Sequence, residues 1–86
     1  MNENSYNIVY LYMMKTYSNF IDIDSNKRFG RPCIKGTRIA VYDVLSWLSN
    51  GMTIQNILDD FPEIKEEEVL ACLAYSADRE HSIRVA

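Results

Sequence analysis

The segment VYDVLSWLSNGMTIQNILDDF, residues 41–61, contains two helical patterns separated by an Asn-Gly pair. Its first half repeats apolar residues at helical spacing from Val41 to Leu48. Asp43 falls in the first turn, where the helix dipole favours an acid. Gly51 suits the left-handed position that commonly follows a helix. These features predict a first helix of about ten residues.

The second half of the segment predicts another short helix. Thr53 is a favourable N-cap residue, and Pro62 ends the pattern sharply. The apolar positions between them have the same helical spacing: Ile54, Ile57, Leu58 and Phe61. A third helix is predicted from near Lys65, with acids in its first turn, and is expected to fray between Asp78 and His81. Three short helices with short connections predict a helix-turn-helix trihelical core.

Two short strands are predicted upstream of the helices. Residues 20–24, FIDID, alternate apolar and acidic side chains, as a half-buried strand does. Residues 37–41, TRIAV, predict a second strand that pairs with the first as a long-looped hairpin. Residues 1–20 fit helical and strand spacing equally well, so their structure stays open.

Charge is strongly segregated along the chain, although the formal net charge is only −3. Residues 25–42, called here the cationic segment, carry five bases and no acid, whereas residues 43–86 carry nine acids and three bases. The five bases are Lys27, Arg28, Arg31, Lys35 and Arg38. On a loop containing Gly and Pro they suit a phosphate backbone, an acidic pocket of a protein partner, or simple solvation. The sequence leaves these alternatives open.

Several classes of function are disfavoured by the sequence. Cys33 and Cys72 are far apart without a CxxC pair, and His81 is the one histidine, so neither a metal site nor a catalytic role is expected. No glycine motif matches a phosphate-cradling loop, so no cofactor is expected. The longest apolar run, residues 8–14, is too short to span a bilayer. A cytoplasmic protein that is not an enzyme is therefore predicted.

The third predicted helix argues against conventional major-groove recognition. It begins with Glu66, Glu67 and Glu68, whose carboxylates repel phosphates. If the protein binds DNA, we expect the contacts to come from the cationic segment.

The order of motifs resembles a known bacterial family. GRPCIKGTRIAVYDVL at residues 30–45, NGMT at 50–53 and DDFP at 59–62 are similar to the domain of unknown function 433, whose members carry a G-x-P-x-I-x-G-T-R-I-x-V core followed by a D-F-P turn. The resemblance covers roughly residues 21–78. Lys65 departs from the Ser or Thr expected to cap the last helix, a difference that costs about 1 kcal/mol.

The resemblance implies a fold and a function. It implies a mainly α, homeodomain-like domain over residues 21–80, preceded by residues 1–20 and followed by a tail at 81–86. Many family members are regarded as antitoxins of the VapB kind, so the resemblance implies that the protein neutralises a PIN-like ribonuclease toxin and regulates its own operator DNA. We expect the protein to act as a homodimer. A stand-alone transcription regulator and a protein-docking module are the alternatives. The residues expected to bind toxin or nucleic acid are Lys27, Arg28, Arg31, Lys35, Thr37, Arg38 and Arg84.

Overall fold

The structure is a computed structural model that describes the backbone of residues 17–85 and the side chains of residues 17–80. It contains two short antiparallel strands, β1 (Ile21–Asp22) and β2 (Cys33–Ile34), followed by three helices. The helices are α1 (Val41–Ser49), α2 (Ile54–Asp60) and α3 (Glu66–Val85). This confirms the predicted fold class, a mainly helical domain with a hairpin near its N-terminal end. The open question about residues 1–20 falls almost wholly outside the described residues.

The first two helices begin and end where their sequences predict. The hydroxyl of Thr53 accepts a hydrogen bond from the Asn56 N–H at 3.0 Å, and the Asn56 side chain accepts one from the Thr53 N–H, also at 3.0 Å. Gly51 has φ of +98° after α1, a backbone conformation that costs glycine little. The predicted caps therefore define the turn between α1 and α2.

The prediction that residues 37–41 form the second strand of the hairpin is wrong. β1 pairs with β2 in the register Ile21 with Ile34 and Asp22 with Cys33, whereas residues 37–41 contribute only a single bridge between Ala40 and Cys33. Thr37 instead closes a turn, because its hydroxyl donates to the Ile34 carbonyl at 2.9 Å and accepts from the Ile39 N–H at 3.0 Å. Pairing through Cys33 and Ile34 buries both side chains completely, whereas Thr37 is only half-buried and Arg38 is exposed.

The predicted end of the third helix is also wrong. α3 continues through residues 78–81 to Val85. No Gly or Pro interrupts residues 66–85, so its backbone hydrogen bonds continue. Residues 81–85 of the predicted C-terminal tail therefore belong to α3.

One core joins the hairpin to the three helices. α3 packs against α1, α2 and β1. The buried cluster consists of Ile21, Ile34, Val41, Val44, Ile57, Ile64, Val69, Ala71 and Cys72. Trp47 of α1 stacks on Phe61 with ring centroids 4.3 Å apart, which covers one side of this core. None of the helices within residues 17–85 combines the length and apolar character needed to cross a bilayer.

Candidate interaction site

The cationic segment contains a left-handed turn, residues 28–30. Arg28, Phe29 and Gly30 have φ values of +51°, +59° and +79°. The Gly30 N–H donates to the Lys27 carbonyl at 3.0 Å, and the Arg31 N–H donates to the Arg28 carbonyl at 3.1 Å. Two successive non-glycine residues with positive φ are uncommon, because their Cβ atoms crowd the backbone. The surrounding contacts must therefore hold this turn in place.

Arg28 supplies the main contact that fixes the turn. Its Nη1 donates to the Arg38 carbonyl at 2.6 Å and to Asp43 Oδ2 at 2.9 Å. The same carboxylate oxygen accepts the Ala40 N–H at 3.0 Å, at the beginning of α1. Arg28 thus joins the left-handed turn to the end of the loop and to the first turn of α1.

The charge of Asp43 is stabilised by this arrangement. Partial burial by itself raises the pKa of Asp43, but the hydrogen bonds from Arg28 and the Ala40 amide outweigh that effect. The positive charges of Arg28 and Arg31 add to them, so the pKa of Asp43 lies below its ordinary value. Asp43 is therefore ionised at neutral pH and holds Arg28 in place.

Lys27 is also paired within the chain. Its Nζ lies 3.9 Å from Asp22 Oδ1 at the end of β1. That separation is too long for a hydrogen bond, and the carboxylate oxygen has no hydrogen-bond partner. Lys27 and Arg28 are thus both close to carboxylates of the domain.

The other three bases of the cationic segment are exposed. Arg31, Lys35 and Arg38 take part in neither of the two ion pairs found among the described residues. The guanidinium carbon of Arg31 lies 5.4 Å from the centre of the Tyr42 ring, a cation–π contact. The Lys35 N–H donates to the Phe20 carbonyl at 2.8 Å, so its backbone is fixed while its side chain faces solvent. These three side chains are the available positive charges of the segment.

Thr37 and Arg84 differ from these bases. Thr37 is half-buried, and its hydroxyl is occupied by the turn that follows Gly36. It therefore holds Arg38 in position rather than offering a hydroxyl to a ligand. The backbone of Arg84 belongs to α3, and its side chain lies outside the described set.

A groove of about 560 Å³ lies beside Arg31. Part of its lining is apolar and comes from Pro32, Ala40, Val41 and Leu45. Arg31 with Tyr42, and Arg79 with Tyr75, also line it, and the guanidinium carbon of Arg79 is 5.8 Å from the centre of the Tyr75 ring. An apolar groove with two guanidinium groups suits a ligand that is both apolar and acidic.

The two cysteines belong to the core rather than to this site. Cys33 and Cys72 are both fully buried. Burial, with the nearby Glu68 carboxylate and Cys33, raises the pKa of Cys72 to about 12. A thiol with such a pKa is protonated at neutral pH and is a poor nucleophile. No cluster of metal-ligating side chains occurs among the described residues.

Sequence reasoning missed the aromatic members of the site, Phe29 and Tyr42, and also Arg79. Phe29 lies between Arg28 and Gly30 in a loop otherwise rich in charge, a signal that was present in the sequence. Tyr42 lies one position after the start of α1 and is exposed, which the helical spacing already indicated. Arg79 joins the groove only because α3 continues past Asp78 and packs beside α1.

The comparisons with known proteins agree with this fold. The family model for the protein of unknown function DUF433 matches residues 21–76. The chain belongs to the DUF433 family. The matched range contains the whole cationic segment and most of the groove.

A solved relative in this family shares the fold. A crystal structure of a DUF433 member protein from Anabaena variabilis ATCC 29413, at 2.00 Å resolution, matches with a TM-score of 0.68 and 21% sequence identity. The match covers 98% of this chain and 82% of that one. No curated protein matches the sequence.

Proposed function

We propose that this DUF433 protein is an antitoxin of a type II toxin-antitoxin pair, which binds and neutralises a PIN-like ribonuclease through its cationic segment. The observation that carries the proposal is the exposure of Arg31, Lys35 and Arg38 on a loop fixed by Arg28 and Asp43. A fixed loop presents its charges with little loss of conformational entropy on binding. Three such charges, none of them in an ion pair with a carboxylate among residues 17–80, suit an acidic surface.

The proposed mechanism is electrostatic. A PIN-type nuclease holds its metal ions with a cluster of carboxylates. A guanidinium inserted into such a cluster forms charge-assisted hydrogen bonds and competes with the metal. Arg31 and Arg38 are the candidates for this role, since the guanidinium of Arg28 is engaged by Asp43. Neutralisation therefore needs no catalytic residue in the antitoxin, and the chain acts as a binding protein.

The test is co-expression with a PIN-like ribonuclease encoded beside the gene. We expect the two proteins to co-purify and the ribonuclease to lose its growth inhibition. Replacing Arg31, Lys35 and Arg38 together with Ala should abolish capture and growth rescue while leaving the thermal unfolding temperature nearly unchanged, because all three side chains are exposed. The double variant Glu66→Gln, Glu67→Gln is the matched control and should retain both capture of the ribonuclease and growth rescue. A ribonuclease that stays active in the presence of the wild-type protein would contradict the proposal.

Binding to operator DNA is the second candidate function, and the helix-turn-helix arrangement of α2 and α3 favours it. The first turn of α3 carries Glu66, Glu67 and Glu68, so its carboxylates oppose entry into the major groove. The same three exposed bases are thus proposed to contact phosphates, one set from each half of a homodimer. Sedimentation analysis of the purified protein tests the dimer, and a monomer at micromolar concentration would contradict it.

A further inference from the structure

Phe29 is fully exposed at the tip of the left-handed turn. Its exposure is 101% of the reference value, whereas the next most exposed large apolar side chains among the described residues, Ile23 and Tyr42, reach 62%. A phenylalanine in water loses the favourable burial that its ring normally provides. Nothing in the described part of the molecule covers it.

The backbone at Phe29 is also unfavourable for this residue type. Its φ of +59° and ψ of +34° belong to the left-handed region, which glycine and asparagine adopt far more readily than an aromatic residue. Folding stability therefore favours Gly or Asn at this position on two independent grounds, backbone conformation and exposure. A strained residue that is also exposed is characteristic of a functional position.

The turn holds the ring in a defined place. Arg28, directly before Phe29, is fixed by Asp43 and the Arg38 carbonyl, and the amides of Gly30 and Arg31 are hydrogen-bonded within the turn. An aromatic side chain on a fixed turn has only two rotatable bonds to immobilise on binding. Such anchors dominate the energy of many protein interfaces.

We propose that Phe29 is the apolar anchor of the interface, inserted into an apolar pocket of a protein partner whose edge carries carboxylates facing Arg31 and Arg38. The inference rests on the proposed antitoxin function for the identity of that partner. The acidic edge of the partner pocket is inferred from charge complementarity, since the cationic segment around Phe29 contains five basic residues and no acid. A single ring protruding from a tight turn suits a protein pocket better than it suits a single-stranded nucleic acid. Nucleobases usually stack on several aromatic side chains that are spread over an open surface.

The test measures affinity and stability together in the full chain. Phe29→Ala and Phe29→Gly are compared with wild type for binding to the PIN-like ribonuclease encoded beside the gene. We expect both variants to weaken binding about 30-fold, the loss typical of an interface anchor. Phe29→Gly should also raise the unfolding temperature by a few degrees, because it relieves the left-handed strain. Ile23→Ala, a change at another exposed apolar side chain, is the matched control and should alter affinity less than about threefold.

The outcomes separate this inference from the proposed function. If Phe29→Ala binds as wild type does while the Arg31, Lys35 and Arg38 triple variant fails, the anchor is wrong and the antitoxin function stands. If the wild-type protein does not bind the ribonuclease, both the antitoxin function and the Phe29 anchor are contradicted. A clearly lower unfolding temperature for Phe29→Ala, which removes the ring without the added chain entropy of glycine, would show that the ring supports the fold and would overturn the anchor. Phe29-dependent binding of a single-stranded oligonucleotide, without binding of the ribonuclease, would overturn the protein pocket in favour of base stacking.

Discussion

Asp43 is the residue on which the geometry of the cationic segment depends. Its carboxylate receives both Arg28 and the Ala40 amide, so one side chain fixes the loop and the beginning of α1. Asp43→Asn keeps an oxygen acceptor but removes the charge. We expect it to lower the free energy of unfolding at pH 7 by about 1 kcal/mol, because a charge-assisted hydrogen bond becomes a neutral one at a partly exposed site. Urea unfolding measures the difference.

The loss at Asp43 should depend on pH with a defined sign. The pKa of Asp43 is lower in the folded state than its ordinary value of 3.8. Its charge therefore contributes stability that is fully present above pH 3.8 and is lost as the pH falls through the lower folded pKa. The difference between wild type and Asp43→Asn should accordingly shrink under acid conditions. Asp60→Asn, at an exposed carboxylate of α2, is the control, and a difference of equal size there would contradict the assignment.

The cysteines give a second prediction for single residues. Both thiols are buried, and burial is the main reason that the pKa of Cys72 rises to about 12. Neither thiol should therefore react with a disulfide reagent at pH 8 until the protein opens. Thiol titration of the native protein should find almost no reaction, whereas two thiols should react in denaturant. Rapid reaction in the native state would contradict the placement of either thiol in the core.

The beginning of α3 shows how a missing cap is partly replaced. The Lys65 N–H donates to Glu68 Oε1 at 2.8 Å, which is one half of a capping box, while Lys65 has no hydroxyl to supply the other half. Lys65→Thr should complete the box and raise the free energy of unfolding by about 1 kcal/mol, or the unfolding temperature by about 4 to 8 °C. Calorimetry measures the shift. Lys65→Ala removes the lysine without adding a hydroxyl, so a similar gain there would refute the capping explanation.

The number of available charges in the cationic segment limits the binding of the molecule to DNA through that segment. Lys27 and Arg28 are close to Asp22 and Asp43, which leaves three exposed bases in the cationic segment. At about −0.9 per phosphate contact, three bases give a logarithmic salt slope of about −2.7 per protomer, or about −5.4 for a dimer, instead of about −4.5 and −9 for all five. Fluorescence anisotropy with DNA from upstream of the gene, over a range of KCl concentrations, measures this slope. A steeper slope would mean that bases other than Arg31, Lys35 and Arg38 also contact phosphates, and a flat one would favour docking to a protein.

The net charge gives no indication of these limits. It is −3 for the whole chain, yet five of the nine bases lie in one loop and the acids are concentrated from Asp43 onward. Charge segregation could be predicted from the sequence, because it needs only a count along the chain. Which bases stay available could not, because ion pairing depends on the approach of β1 and α1 to the loop.

The sequence by itself determined the features that depend on neighbouring residues. The helical spacing, the Thr53 cap, Gly51 and Pro62 placed α1 and α2, because each of these signals acts within one or two turns of helix. The motif string over residues 30–62 was likewise sufficient to identify the DUF433 family before any contact was known.

Only the tertiary structure decided the features that depend on distant residues. β1 pairs with β2 rather than with residues 37–41, because burial of Cys33 and Ile34 against the helices outweighs local β propensity. The left-handed turn that carries the exposed Phe29 is held by the contact of Arg28 with Asp43, fifteen positions away. Spacing along a chain does not encode such a contact, because it forms only when the loop is folded back onto the beginning of α1.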